Sequence, residues 1–83
     1  MLIHSPKDLA LIVMNQRKKL KLSQFEVGDL VGLKQTTVSA FENKPESTKL
    51  DTLFRILSAV GLDINILKKD EPAKTEAQWK EEW

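Results

Sequence analysis

The run from Gln24 to Glu42, QFEVGDLVGLKQTTVSAFE, constrains this chain more than any other stretch of it. Apolar side chains fall at Val27, Val31, Leu33, Val38 and Phe41. That spacing suits two short helices packed across one another at a steep angle. Gly28 lies where a larger side chain would hold the helices apart. Gly32 supplies a residue able to take positive φ where the first helix ends. The pattern is specific because five apolar positions and two glycines are satisfied together.

Two helices crossed about a glycine turn make a helix-turn-helix, a motif whose second helix enters the major groove of DNA. Lys34, Gln35, Thr36, Thr37 and Ser39 lie at or near the N-terminal end of that second helix, which has no acidic residue before Glu42. Gln35 can form a bidentate pair with adenine, Lys34 can donate to guanine, and the methyl of Thr36 or Thr37 can meet a thymine methyl. Gln24, on the first turn of the preceding helix, can hold a phosphate oxygen together with that helix's free amides. Ser23 is first a cap and second a phosphate contact. Asn43 and Lys44 follow the reading helix and are expected to face the sugar-phosphate chain. The plainer alternatives are a solvated polar face for the helix and an ordinary loop lysine for Lys44.

Around this motif the chain predicts two further helices. Ser5-Pro6-Lys7-Asp8 places a hydroxyl at an N-cap, proline at the first helical position and a carboxylate at the third. The helix it opens should run to about Lys19. Leu9, Val13 and Leu20 share one face, with Ile12 at its edge, while Leu11 and Met14 point the other way. Ser23 and Glu26 form a capping box for the next helix, Gln24–Val31, and the reading helix covers about Gln35–Glu42. Asn43–Ser47 is a loop by its turn residues. Thr48-Lys49-Leu50-Asp51 reads as another capping box, opening a helix whose apolar side is Leu50, Leu53, Phe54, Leu57 and Val60 and which Gly61 ends.

Leu62-Asp63-Ile64-Asn65-Ile66 alternates strictly and reads as a strand, with a short helix capped by Asp63 as the alternative. No second alternating run exists to pair with it. The economical partner is the same strand of another copy across a two-fold axis, which makes Leu62, Ile64 and Ile66 candidate dimerisation residues. The expected fold is therefore all-α, four main helices with a short C-terminal β-strand paired across a dimer. Residues 1–67 form the DNA-binding and dimerisation domain. Residues 68–83 form a flexible tail, polar apart from Trp79 and Trp83.

Composition narrows the function classes. Without Cys there is neither a disulfide framework nor a Cys-based zinc site, and the single His4 is more readily a surface residue than a ligand. No nucleophile, metal cluster or nucleotide cradle suggests itself, so an enzyme is the weakest option and no cofactor is expected. The run Leu9–Met14 is too short to cross a membrane and lacks a cleavage pattern, which leads to the expectation of a cytoplasmic protein. The net charge is only +1. Residues 1–67 hold nine Lys/Arg against seven Asp/Glu, and 68–83 hold four against five. Bulk charge permits DNA binding without arguing for it.

The chain resembles the lambda-repressor-like (Cro/C1-type, XRE) helix-turn-helix proteins from about Leu9 to Leu67. The resemblance is carried by LKLSQ at Leu20–Gln24, VGLKQTTVSAFE at Val31–Glu42 and LDTLFRILSAVGL at Leu50–Leu62. Within that family it is most similar to the HipB antitoxins, on LKQTTVSAFEN, the strand after the fourth helix and a tail ending EEW. The resemblance implies a dimeric repressor that autoregulates its operon at a palindromic operator and neutralises a HipA-type Ser/Thr kinase toxin. It also implies a structural ion pair between Arg17 and Glu42 that joins two helices. Many relatives have a polar side chain where this chain has Ala40, which suggests an apolar contact or one reader fewer. For the toxin, the candidates are Leu11 and Met14, turned away from the core, and Trp79 and Trp83, whose spacing would put both rings on one side of a helix. A phage-type regulator without a toxin, or an interaction module that has lost DNA binding, is the alternative.

Overall fold

The computed structural model describes residues 2–69. Four helices fold into one bundle: α1 (Pro6–Lys19), α2 (Gln24–Val31), α3 (Gln35–Asn43) and α4 (Leu50–Val60), with a 3₁₀ turn at Pro45–Ser47 between the last two. Their shared core is Ala10 and Val13 of α1, Val27 of α2, Val38 and Phe41 of α3, and Ile56, Leu57 and Val60 of α4. Among the described residues no polar or charged residue is fully buried.

Local chemistry explains the helix ends. Ser5 Oγ accepts the Asp8 amide at 3.1 Å, with Pro6 at the first helical position, so α1 begins with its free donors partly satisfied. At its other end Lys21 takes φ 60°, the one non-glycine residue with positive φ among those described. This lets the Leu22 amide close on the Arg17 carbonyl at 3.1 Å and turns the chain into α2. Gly32 (φ 71°) and Gly61 (φ 72°) end α2 and α4 in the left-handed conformation.

Three local expectations are corrected. Leu20 lies 46% exposed, because α1 stops at Lys19 and the helical phase that aligned it with Val13 ends there; Ala10 takes its place in the core. On α4 the buried stripe is Ile56, Leu57 and Val60, with Leu53 packed against it, while Leu50 and Phe54 are exposed. Helical spacing places Leu50 and Phe54 on one row beside that stripe rather than within it. The Thr48 capping box is absent. The Thr48 amide closes the 3₁₀ turn on the Pro45 carbonyl at 3.0 Å, which delays the helix until Lys49 stands at the N-cap with no side-chain bond.

Residues 62–68 are neither helix nor strand in the single chain, which rules out the short helix considered for this segment. A strand is defined by its pairing, and the described residues of one copy hold no strand for this segment to pair with.

Candidate nucleic-acid interface

The helix-turn-helix is closed by a backbone contact that only glycine permits. A Cβ built on Gly28 would collide with the Leu33 carbonyl oxygen. In the same turn the Leu33 amide donates back to the Gly28 carbonyl at 2.8 Å. Val27, Val38 and Phe41 are buried beneath it, so the start of α3 is held away from the core at a set angle.

Behind that start runs a chain of polar contacts. Arg17 Nε donates to Glu42 Oε2 at 2.7 Å and Arg17 Nη2 to Glu42 Oε1 at 2.9 Å, a two-point bridge from α1 to the end of α3. The two side chains are only 12% and 3% exposed. Arg17 Nη1 also donates to the Leu22 carbonyl at 2.9 Å, which ties the α1–α2 turn to the same carboxylate. Gln24 Nε2 donates to Glu42 Oε1 at 3.1 Å, and Gln35 Nε2 donates to Gln24 Oε1 at 3.5 Å. Arg17, Glu42, Gln24 and Gln35 thus form one connected path from the interior to the first residue of α3.

The outer face of α3 is polar. Lys34 is its N-cap and offers no side-chain oxygen to the first turn; the Thr37 amide closes on the Lys34 carbonyl at 3.0 Å, and the amides ahead of it face an outside acceptor. Lys34, Gln35, Thr36, Ala40, Asn43 and Lys44 are exposed, while Thr37 and Ser39 are half-buried. Asn43 lies inside the last turn of α3, one residue beyond the expected end, and donates to the Ser39 carbonyl at 3.0 Å and to Ser39 Oγ at 3.1 Å. Ser39 and Asn43 are therefore coupled to each other before any ligand arrives. Lys44 is the C-cap.

Ser23 and Glu26 cap α2 reciprocally. The Glu26 amide donates to Ser23 Oγ at 3.0 Å, and the Ser23 amide donates to Glu26 Oε1 at 2.9 Å. The bond from the Ser23 backbone, followed by that from its side chain, holds the Glu26 carboxyl below its ordinary range. The reading from sequence missed Gln16, whose Nε2 donates to the Val60 carbonyl at 3.1 Å and pins α1 to the end of α4. It also missed the bond from Gln24 to Glu42. Nothing in residue type announces either, because both depend on how helices distant in sequence meet.

The candidates for protein contact lie elsewhere. Leu11 is exposed and Met14 half-buried, and together with Lys7, Asp8 and Ala10 they line a shallow depression on α1 that reaches Glu42. Ile64 and Ile66 are 44% and 74% exposed, and Leu62 packs partly on the core. Trp79 and Trp83 fall outside the described residues. Among the described residues no helix is long and apolar enough to cross a membrane.

A helix-turn-helix family profile matches residues 13–67. Antitoxin HipB of Escherichia coli (strain K12) is 37% identical over 78 residues, covering 92% of this chain and 89% of that protein. The chain belongs to the helix-turn-helix family, among the HipB antitoxins. Solved HipB structures share its fold. A HipA-HipB-O2-O3 complex matches with a TM-score of 0.82 at 34% identity, over 84% of this chain and 99% of the other. A HipB-O4 20mer complex matches with a TM-score of 0.81 at 34% identity, over the same two shares.

Proposed function

We propose that this chain is an autoregulating antitoxin: a homodimer that binds a palindromic operator through α3 and holds a HipA-type Ser/Thr kinase on its other surfaces. It is a DNA-binding regulator and not an enzyme. The observation that carries the reading is the acid-free, exposed start of α3, fixed from behind by a half-buried ion pair, in a fold shared with HipB proteins solved in O2-O3 and O4 20mer complexes.

In mechanism, two copies of α3 enter successive major grooves about one helical turn apart. Lys34, Gln35 and the threonines meet base edges, and Ala40 offers a small apolar contact. Ser23, Gln24, Asn43, Lys44 and the free amides of α2 and α3 grip the backbone. Leu62, Ile64 and Ile66 pair with their symmetry mates and set the spacing of the two reading helices. Leu11 and Met14, with Trp79 and Trp83 of the tail, form the toxin contact. The working compartment is the cytoplasm.

Selection of bound sequences from random duplexes tests the DNA half. The expected result is a palindrome with half-sites about one turn apart and an affinity that falls steeply with salt. Failure to retain any duplex would overturn it. Purification from the native cell tests the other half, with a kinase expected in stoichiometric amount. Removal of residues 70–83 should weaken the kinase contact and spare operator binding.

A further inference from the structure

We propose that Glu42, beyond joining two helices, decides which base Gln35 reads; it acts as a positioning residue through Gln24. The inference rests on the reading of α3 as the base-contacting helix. Its evidence is the direction of each hydrogen bond in the path described above.

An ionised carboxylate only accepts hydrogen bonds. Glu42 Oε1 receives Gln24 Nε2 at 3.1 Å, so the Gln24 amide presents its nitrogen inward and its oxygen outward. Arg17 holds that carboxylate at two points, and the Glu42 side chain is 3% exposed, so the arrangement has little room to rotate. The outward oxygen of Gln24 faces Gln35 Nε2 at 3.5 Å, the longest link of the path. Gln35 Nε2 has two hydrogens, and this contact engages one of them.

What remains on Gln35 is one donor and one carbonyl acceptor. In the major groove adenine presents N7 as an acceptor and N6 as a donor, which fits that remainder. Guanine presents N7 and O6, both acceptors, and needs two donors. An untethered glutamine can turn both hydrogens of its amide toward guanine; one tethered to Gln24 has a single hydrogen to give. The half-buried carboxylate therefore selects adenine over guanine at a base pair it never touches.

The test compares duplexes that differ only at the base pair read by Gln35, located as the position whose preference disappears in Gln35→Ala. For the unaltered dimer we expect adenine favoured over guanine there by about tenfold. Gln24→Met keeps the size of the side chain and leaves the Arg17–Glu42 bridge intact, but removes the relay. Its preference should fall to within about twofold at that pair, with other positions unchanged. A general loss of affinity from losing a backbone anchor leaves this ratio untouched, so the ratio is the diagnostic reading. Glu42→Gln, measured below its melting point, should relax the same position, because an amide lets Gln24 sit either way round. An unaltered preference in Gln24→Met or in Glu42→Gln, or a Gln35→Ala variant with no position relaxed, overturns the proposal. If the unaltered protein retains no duplex at all, the DNA-binding reading itself fails.

Discussion

In α2 and α3, Val27, Val38 and Phe41 are buried within one chain, and the charge on Glu42 is met by Arg17 of the same chain. In residues 62–69, Ile64, Ile66 and Leu67 remain 44%, 74% and 36% exposed, and among the described residues the backbone has no strand beside it. The first region is complete in one copy; in the dimer proposed above, the second is completed by another. On that proposal the reading surface is shaped before association, while the distance between two such surfaces is set by association alone.

The contrast is tested first where the largest effect is expected. Glu42→Ala strands the Arg17 guanidinium in a half-buried site, and stability should fall by about 3–5 kcal/mol in denaturant titrations. Because that damage lies within one chain, the part of it due to the ion pair should not vary with protein concentration. Gly28→Val drives a branched side chain into the Leu33 carbonyl. A loss of about 2–3 kcal/mol is expected, read as a drop in melting temperature, since backbone cannot step aside as a flexible side chain would.

Ile66→Lys probes the other region. Its side chain is 74% exposed in the single chain, so the fold of each copy should survive, with an unchanged far-ultraviolet dichroism spectrum. The dimer dissociation constant in analytical ultracentrifugation should rise by about tenfold or more, the scale of one lost apolar contact with a lysine left beside an apolar neighbour. A dimer that tolerates this substitution would place the interface elsewhere.

The smallest effect sharpens the first region. Glu26 titrates below its ordinary value of 4.5 in the folded chain. A lowered folded value means that its contribution is present above the unfolded value and is lost as pH falls through the folded one. The stability gap between the unaltered chain and Glu26→Gln should therefore be constant near neutrality and close on acidification. A gap that widens in acid would show that the Ser23 bonds do not favour the charged form.

Much of the bundle is legible in the sequence, because its signals are local. Ser5 and Ser23 announce helix starts, Gly32 and Gly61 announce ends, and the apolar spacing of residues 27–41 implies two crossed helices. Helical phase alone carries Leu20 past the end of α1 and puts Phe54 inside in place of Ile56. Periodicity gives the width of an apolar stripe but not which edge of it meets a neighbour.

The chain order of apolar, glycine and capping residues determined by itself that this protein is a helix-turn-helix bundle, since each of those residues acts on backbone within a few positions. Only the folded molecule decided that Gln24 leans on Glu42, that Gln16 seals the end of α4 and that α3 begins without a side-chain cap. Those contacts join residues 18 and 44 positions apart. Their existence depends on the angles at which whole helices meet, which no short stretch of residues encodes.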